Sequence, residues 1–315
     1  MSITGISTLG MTRDEWLAER RNGIGGSDAG AVVGLNKYRN AFDVYADKLE
    51  MTEPVPDNEA MRQGRDLEEY VAQRFCEETG KKVRRRNSMM INTEYPFARA
   101  NVDRMIVGEN AGLECKTANV LSLQRYKNGE YPSEYYCQCM HYMAVTGAER
   151  WYLAVLVFGT EFKIFTIERD EEEITALMEA ERSFWENNVQ KREPPAPMGT
   201  ERNDETLSAM YPTGEPDKQI QLVGFDKALT RYAEVKALIK KLETEKKEIE
   251  QNIKAEMGDA VRADTDKYKI SWNNVQRKDI DTTGIINDLL SDVDISKYIK
   301  ASSYRRFTIA ERKDG

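Results

Sequence analysis

Hydrophobic residues recur at two spacings along the first 192 residues, and these spacings predict an alternation of helices and strands. Apolar positions three or four residues apart predict helices over 12–21, 40–49, 61–80, 135–145 and 171–191. Alternating or continuous apolar runs beside glycine predict two β-hairpins, over 102–115 and 151–167. Because helices and strands are interleaved, we expect an α/β core in which helices flank a mixed central sheet.

The pattern changes beyond this core. Residues 193–216 lose periodicity and gather prolines and glycines, which is typical of a linker or an extended strap. Residues 217–257 predict a long helix, and because its apolar stripe drifts, we interpret it as a helical hairpin arm or a docked helix rather than a long regular coiled coil. Two alternating runs, 268–272 and 305–309, flank a further helical piece. The chain thus divides into a core (1–192), a linker (193–216) and a C-terminal α+β extension with the long helix (217–315).

The first predicted hairpin carries three charged residues close to its turn. If the turn occupies 108–111, Met105 pairs with Glu114, and Asp103 pairs with Lys116. Since opposite residues share a face and side chains alternate with a period of two, Asp103, Glu114 and Lys116 then lie on one face. A register slip of one residue would separate them.

Two carboxylates and an ammonium on one face predict either a metal site or a surface salt-bridge cluster. Neighbouring carboxylates repel each other unless a cation lies between them, and oxygen ligands favour Mg²⁺ or Mn²⁺. A lysine beside the metal could orient or activate a water for attack on a phosphodiester. The acid-x-Lys pattern also occurs at 161–163, 234–236 and 245–247, where solvated charges explain it. The hairpin alone therefore leaves both interpretations open.

The composition is that of a soluble globular protein. Of the 315 residues, 32% are charged and 40% are hydrophobic, and the mean hydropathy is −0.67. No apolar run reaches about 18 residues, and the N-terminus lacks the pattern of a signal peptide, so we expect a cytoplasmic protein without membrane association. The net charge of −8 argues against a general nucleic-acid coat protein, but it allows an enzyme with a local basic channel.

Two groups of basic residues are candidates for DNA contact. The run Lys81–Arg86 directly precedes the first hairpin, and its alternative is a strand edge protected by charge. The extension could form a small DNA-contacting or partner-binding module. That hypothesis rests on Lys267, Lys269, Arg277, Lys278, Arg305 and Arg306.

The four cysteines are interpreted as reduced thiols. Cys137 and Cys139 lie two apart in a predicted helix and so point to different sides, which argues against an iron–sulfur site that would also use Cys76 and Cys115. Buried thiols explain all four. The single histidine, His141, lies in the same helix and cannot build a zinc site alone.

A glycine-rich stretch over 20–34 is a candidate phosphate site. Ser27 is a good N-cap for a short helix over 28–33, and Arg20 is nearby. A helix N-terminus with a hydroxyl and an arginine suits a terminal phosphate, although glycine-rich turns before helices are also common as plain structure.

Two polar residues in predicted helices are further candidates. Glu68 lies at the border of the apolar stripe of the helix over 61–80, where it could face either the hairpin carboxylates or solvent. Gln138 lies in a largely buried helix, so its amide must bond to the backbone or to a ligand.

Four motifs in sequence order together resemble the YqaJ-type viral recombinase family, relatives of phage lambda exonuclease in the PD-(D/E)xK nuclease superfamily. The motifs are R-x-x-x-I-G-G-S-D at 20–28, G-x-x-x-E at 64–68, Asp103 with E-C-K at 114–116, and Q-C-M-H-Y-M-A-V-T-G from Gln138. The resemblance covers residues 11–190. Asn101 and Val102 stand where the superfamily's name expects a proline before the aspartate, a position that carries no chemistry.

The resemblance implies a PD-(D/E)xK restriction-endonuclease-like core and a set of site residues. The implied ligands of Mg²⁺, which Mn²⁺ could replace, are Glu68, Asp103, Glu114 and the carbonyl of Cys115. The implied catalytic residues are Asp103, Glu114, Lys116 and Gln138, with Lys116 aligning the attacking water. The implied contacts to the 5′-phosphate and to DNA are Arg20, Ser27 and Lys116.

The implied activity is digestion of one strand of duplex DNA from its 5′ end, which leaves a 3′ tail for a phage single-strand annealing protein. Family members form ring-shaped trimers, so we expect a homo-oligomer encoded by a phage or prophage and acting in the host cytoplasm. An endonuclease or a single-strand exonuclease of the same superfamily would share the metal residues, whereas a non-catalytic DNA-binding scaffold would not need them. An interaction protein built around the helix over 217–257 is a further alternative.

Overall fold

The predicted helices of the core form, and their capping residues explain where they begin and end. The computed structural model describes residues 2–53, 57–276 and 285. The side chain of Thr12 accepts a hydrogen bond from the N–H of Glu15 at the start of the first helix, and Gly80 ends the fourth in the left-handed conformation, with φ of 70°. The helices up to residue 212 are α1 (Arg13–Arg21), α2 (Gly26–Val32), α3 (Ala41–Lys48), α4 (Glu59–Thr79), α5 (Ser133–Thr146), α6 (Glu171–Ser183) and α7 (Glu201–Met210), with a 3₁₀ segment over Val120–Gly129 and a π-helical segment over Phe184–Gln190.

The strands of the same region form two mixed sheets. They are β1 (Ile3–Ser7), β2 (Ile24–Gly25), β3 (Val83–Arg84), β4 (Ser88–Asn92), β5 (Tyr95–Ala100), β6 (Arg104–Ile106), β7 (Ala111–Ala118), β8 (Arg150–Val157) and β9 (Glu161–Glu168). One sheet has the order β3-β6-β7-β8-β9, with β7 and β8 parallel, and the other has the order β1-β4-β5-β2, with β2 and β5 parallel. Helices α4 and α5 pack on these strands. The predicted α/β core with a mixed sheet and flanking helices is confirmed, and the second sheet was not predicted.

The register of the β6–β7 hairpin differs from the prediction. Met105 pairs with Gly112, not with Glu114, and Arg104 pairs with Leu113. The turn therefore occupies 107–110 instead of 108–111, one residue earlier than we predicted, and the pairing is shifted by two residues. Because side chains alternate with a period of two, a shift of two leaves the same residues on the same face.

The centre of the core lies between β7, β8 and α5. Residues 137–145 of α5 are all buried, and so is Trp151 of β8. A Cβ atom on Gly112 would lie 2.2 Å from the Trp151 ring, so glycine is required for this close approach. The packing fixes β7 and α5 against each other, and these two elements carry Glu114 and Gln138.

The stretch 193–216 contains an ordered helix where we predicted only a linker. In α7 the side chains of Asn203 and Thr206 are buried and donate hydrogen bonds of 3.0 and 2.8 Å to Oδ1 of Asp43 on α3. By its contacts, α7 belongs to a compact unit that runs to Pro212. The apolar pattern did not reveal this helix because its buried contacts are polar.

A second compact unit begins at Thr213. Its main element is α8 (Asp226–Met257), one uninterrupted helix that begins later than the predicted residue 217 and forms no helical hairpin within the described residues. Strands β10 (Arg262–Asp264) and β11 (Lys269–Ser271) pair antiparallel after it. The helical piece and second alternating run predicted beyond residue 276, with Arg277, Lys278, Arg305 and Arg306, lie outside the described residues apart from Ile285. Across the described ranges, no helix has both the length and the apolar composition that crossing a membrane requires.

Candidate active site

Asp103 and Glu114 meet at the open end of the β6–β7 hairpin. Asp103 directly precedes β6, and continuing the register by one pair sets it across from Glu114. The backbone N–H of Cys115 donates a 2.8 Å hydrogen bond to Oδ2 of Asp103, which fixes the carboxylate against β7. The hairpin thus brings both predicted acids together, although through a different pairing from the one expected.

Glu114 is the most enclosed of the acids, with 3% of its surface exposed. Its Oε1 lies 2.6 Å from Nζ of Lys116 and accepts a 2.7 Å hydrogen bond from Nε2 of Gln138. The same amide nitrogen of Gln138 also donates to the Tyr142 hydroxyl over 2.9 Å. Its Oε2 is buried and has no hydrogen-bond partner among the described residues. A buried carboxylate oxygen without a partner is costly, so this atom is a candidate ligand for a cation.

The electrostatics of this cluster favour binding of a cation. Burial, then the neighbouring charges of Glu114 and Glu68, raise the pKa of Asp103 well above its usual range. Burial of the Lys116 ammonium lowers its pKa, but Glu114, Tyr135 and Asp103 raise it more, so the net shift is upward. Lys116 therefore stays protonated at neutral pH, and the acids around it carry repulsion that a further cation would relieve.

Glu68 reaches the cluster from α4, beside an arginine that was not predicted. Arg104 is almost fully buried and lies 2.6 Å from Glu68 and 2.9 Å from Glu69, while it also donates to the carbonyl of Asp103 over 2.6 Å. Glu68 is about one third exposed, whereas Glu69 is 64% exposed. Arg104 thus fastens α4 to the start of β6 and holds Glu68 near Asp103.

The donor set fits a hard divalent cation. Among the described residues, no three His, Cys, Asp or Glu side chains converge in a finished metal-binding arrangement. Glu68 is held by Arg104, and one oxygen of Glu114 is held by Lys116. Free Oε2 of Glu114 and the carboxylate of Asp103 are the oxygens that Mg²⁺ or Mn²⁺ prefers.

Cys115 supplies no thiolate to this site. Burial, then the charges of Asp103 and Glu114, raise the pKa of its thiol far above the usual value. A thiolate ligand is therefore disfavoured, and the backbone carbonyl of Cys115 stays the only predicted ligand at this position.

Arg20 and Ser27 line the same cavity as the acids. The cavity has a volume of about 580 Å³, and its lining includes Arg20, Ser27, Glu68, Asp103, Glu114 and Gln138. The guanidinium of Arg20 donates to the hydroxyl of Ser27 and lies 5.2 Å from the ring centroid of Trp16. A second cavity of about 760 Å³ is also lined by Arg20 and Ser27, but not by Glu68, Asp103 or Glu114.

Ser27 is not the N-cap of α2, which corrects the prediction. The N-cap is Gly25, which has no side chain to cap the helix. The capping hydrogen bond comes instead from the third residue of the helix, because the carboxylate of Asp28 accepts from the N–H of Gly25 over 3.1 Å. Ser27 instead sits in the first turn with its hydroxyl engaged by Arg20. The hydroxyl faces the cavity, as the phosphate prediction requires, but for a different structural reason.

A buried network of ion pairs beside Arg20 was not predicted from the sequence. Asp28 is fully buried, 2.6 Å from Arg39 and 2.7 Å from Lys48, with Arg20 at 3.8 Å. Burial opposes ionisation of Asp28, yet Lys48, Arg39 and Arg20 together hold its pKa well below the usual range. The only signal in the sequence was a lysine on the apolar face of α3, which is rarely buried unless paired.

The basic run Lys81–Arg86 lies partly on a sheet edge and partly beside the cavity that holds the acids. Strand β3 is the edge of its sheet, and Lys81 pairs with Glu109. Arg85, which pairs with Glu69, and Arg86 line the cavity that holds the acids. Charge therefore protects the edge, and the end of the run is available for DNA contact.

His141 has a structural partner. Its Nδ1 lies 2.9 Å from Oε1 of Glu181, both side chains are fully buried, and its Nε2 lies 3.0 Å from the carbonyl oxygen of Arg99. The four cysteines are free thiols. Cys137 and Cys139 are buried as predicted, whereas Cys76 and Cys115 are half-buried. Within the described residues, neither the imidazole nor the thiols form a metal-binding group with the acids.

The relationship to known proteins agrees with the motifs. The YqaJ-like viral recombinase domain model matches residues 15–149, a segment that contains every predicted site residue. The chain is 40% identical over 308 residues to the uncharacterized protein YqaJ of Bacillus subtilis (strain 168), covering 96% of this chain and 95% of that relative. The chain belongs to the YqaJ family. The resemblance inferred from the four motifs is confirmed.

Two solved structures are similar to this YqaJ-family chain. One is an alkaline exonuclease from Laribacter hongkongensis, with 22% identity, a TM-score of 0.48, and coverage of 62% of this chain and 99% of that chain. The other is a phage related exonuclease from Haemophilus somnus 129PT, with 13% identity, a TM-score of 0.42, and coverage of 54% and 96%. Family membership rests on the Bacillus subtilis relative and the domain match, not on these distant structures.

Proposed function

We propose that this YqaJ-family protein is a Mg²⁺-dependent exonuclease that digests the 5′-terminated strand of linear duplex DNA and leaves a 3′ tail. The observation that supports it is one cavity that holds both Glu114, with its unpartnered oxygen, and the Arg20–Ser27 pair. A cluster of acids can accept a metal, and a guanidinium beside a hydroxyl can accept a terminal phosphate. Together they suit cleavage next to a phosphorylated end.

The metal would be held by Asp103 and Glu114, with Glu68 and the Cys115 carbonyl as further ligands. Bound there, Mg²⁺ would stabilise the charge that develops on the phosphate during hydrolysis. Mn²⁺ has the same ligand preference and is expected to substitute. The 2.6 Å contact with Arg104 engages Oε1 of Glu68, so its Oε2 is the oxygen that would bind the metal.

Lys116 would act as a donor, not as a base. Its raised pKa keeps the ammonium protonated, so it can orient the attacking water and neutralise charge on the scissile phosphate but cannot accept a proton. Gln138 would fix Glu114 together with Lys116, because its carboxamide donates to the same Oε1. Both contacts leave Oε2 of Glu114 directed away from them.

Arg20 and Ser27 would capture the 5′-phosphate and so set the scissile bond relative to the end. Asp28 neutralises part of the charge of Arg20 and holds its position, and stacking over Trp16 restricts it further. A preorganised guanidinium loses less side-chain entropy on binding. Arg85 and Arg86, on the same cavity, would contact the DNA backbone.

The cellular partners belong to the same proposal. The substrate would be duplex DNA ends, and the product tail would pass to a phage single-strand annealing protein in the cytoplasm of the host. A trimeric ring with a basic bore would reconcile DNA binding with the net charge of −8.

Digestion of matched DNA substrates tests the proposal. Linear duplexes with 5′-phosphate or 5′-hydroxyl ends and a closed circle would be incubated with Mg²⁺ or EDTA, with labels at either end of one strand. We expect Mg²⁺-dependent release of mononucleotides from the 5′-phosphorylated linear DNA alone. Glu114→Ala should abolish it, whereas Glu161→Ala, in the exposed acid-x-Lys pair with Lys163 at 2.8 Å, should not.

The other outcomes identify the rival functions. Cleavage of the circle would favour an endonuclease, and digestion of single strands alone would favour a single-strand exonuclease. DNA binding without any digestion would favour a scaffold.

A further inference from the structure

Helix α8 carries a heptad repeat along its whole length. With Phe225 as position a, hydrophobic residues occupy most a and d positions over more than four heptads. The a positions are Phe225, Tyr232, Ile239, Lys246 and Ile253, and the d positions are Ala228, Val235, Leu242, Ile249 and Glu256. Leu229 and Leu238 fall at e and g, so they widen the stripe without moving it. The apolar stripe that drifts in the sequence is therefore explained by a heptad repeat whose apolar face is wider than positions a and d alone.

This heptad face is exposed. The exposed fraction runs from 36% at Ile253 to 54% at Ile249, and Leu242 at the centre is 53% exposed. The opposite positions b, c and f contain only alanine and polar or charged residues. A helix of 32 residues is about 48 Å long, so the stripe is far longer than a scattered surface patch.

We propose that α8 pairs with α8 of a second copy of this chain as an antiparallel two-stranded coiled coil. In the register that overlaps the two helices along their full length, Ile239 faces Leu242 of the other copy, and Tyr232 faces Ile249. Each a residue then meets a d residue, as antiparallel packing requires. The layers Tyr232–Ile249, Ile239–Leu242 and Ile253–Ala228 are apolar, and the layers Phe225–Glu256 and Lys246–Val235 each contain one charged residue. The charged residues that flank the stripe select this orientation over the parallel one.

A parallel in-register pair would set like charges against each other. Position g of one helix lies beside position e of the next heptad in its partner, so Arg231 would meet Lys236 and Glu245 would meet Glu250, each twice by symmetry. Lys246 would also face Lys246 across the core of the pair. Like charges at such positions destabilise pairing.

The antiparallel pair removes these repulsions and adds one attractive contact. Position e then lies beside position e, so Lys236 meets Glu243 of the other copy, twice by symmetry. Arg231 lies near Asn252, and Lys246 faces Val235 in place of its own equivalent. Charge complementarity thus identifies a second copy of this chain, in antiparallel orientation, as the partner that fits.

The first experiment measures the molar mass of the full-length protein by light scattering across a dilution series. Leu242→Asp at the core of the stripe should reduce the mass, and Thr244→Asp, on the exposed opposite face, should leave it unchanged. The comparison is independent of the proposed nuclease function and of any further assembly by the core. An unchanged mass in Leu242→Asp would overturn the proposal and indicate that this chain or another protein covers the stripe.

The second experiment tests orientation. Lys236→Glu should weaken association roughly tenfold, because the introduced carboxylate would face Glu243 of the other copy, and the added Glu243→Lys change should restore association. In a parallel pair Lys236→Glu would instead strengthen association by pairing with Arg231, which would refute the antiparallel assignment.

Disulfide trapping gives an independent reading of the same orientation. Ala228→Cys and Ile253→Cys face each other only in the antiparallel register, so a covalent dimer should form when the two variant proteins are mixed and oxidised. Each variant alone should stay unlinked. Self-linkage of Ala228→Cys would indicate parallel pairing and contradict the proposal.

Discussion

Gln138 donates one hydrogen bond of 2.7 Å to Oε1 of Glu114 and another of 2.9 Å to the hydroxyl of Tyr142. Because Tyr142 lies one helical turn further along α5, the amide is held between its own helix and strand β7. Glu114 therefore keeps one conformation, in which Oε1 is shared with Lys116 and Oε2 stays free. A residue without charge thus determines which oxygen can accept a metal.

Replacing Gln138 tests this positioning role. Gln138→Leu keeps the volume of the side chain but removes both hydrogen bonds, so Glu114 can rotate and the turnover number should fall about 10- to 100-fold. The affinity for DNA should change little, because Gln138 carries no charge. Tyr142→Phe, which removes only the second acceptor, should lower turnover much less. Equal losses in both variants would contradict the role assigned to Gln138.

Glu68 and Glu69 form a matched pair for testing the metal ligands. Both contact Arg104, but the charge of Glu68 raises the pKa of Asp103, whereas Glu69 is directed toward Arg85. Glu68→Gln should therefore raise the Mg²⁺ concentration needed for half-maximal activity and lower turnover at least about tenfold.

Glu69→Gln should stay within about threefold of the unchanged protein, because Glu69 is 64% exposed and solvent screens its ion pairs with Arg85 and Arg104. Titration of both variants with Mg²⁺ separates the two residues. Similar metal dependence in the two would mean that Glu68 only anchors Arg104.

Adjacent arginines at the end of α1 provide the control for end capture. Arg20 engages Ser27 in the cavity of the acids, whereas Arg21 lies 3.0 Å from Glu50 and does not line that cavity. Arg20→Ala should reduce the preference for a 5′-phosphorylated over a 5′-hydroxyl end roughly 10- to 100-fold, the range expected for charge-assisted hydrogen bonds. Arg21→Ala should preserve the preference. A preference that survives in Arg20→Ala would exclude this residue as the phosphate contact.

Local patterns in the sequence were enough to predict the hairpin face that carries the acids. Asp103, Glu114 and Lys116 were expected on one side, and they do converge, even though the pairing is shifted by two residues. The prediction survived because side chains alternate with a period of two, so only an odd shift would have moved them. Face assignment is therefore more robust than register.

Long-range polar contacts could not be predicted in the same way. Asp28 finds Lys48 on another helix, and Thr206 of α7 reaches Asp43, which lies 163 residues earlier in the chain. Neither pair produces a periodic pattern in the sequence, because a buried polar residue needs only a single partner and not a repeated series of them. The helix α7 was missed for this reason, and so was the support behind Arg20.

His141 and Glu181 form a buried pair whose protonation is linked to folding. Burial lowers the pKa of His141, but Glu181 and the Arg99 carbonyl raise it more, and the net shift is upward. Burial raises the pKa of Glu181, and His141 only partly offsets this. Both shifts have the same sign, so the folded pair holds protons that the unfolded chain would release.

The free energy of unfolding should therefore depend on pH through this pair. The raised pKa of His141 gives stability that is complete below about pH 6.5, the ordinary value for histidine, and is lost as the pH rises through the folded pKa. The contribution of Glu181 is complete only below about pH 4.5, its ordinary value, and is lost in the same direction. Denaturant unfolding at several values between pH 6 and 9 would be compared with the double variant His141→Gln, Glu181→Gln, in which neither group titrates. The difference in free energy between the two proteins should shrink as the pH rises. A constant difference would mean that the pair does not take up a proton on folding.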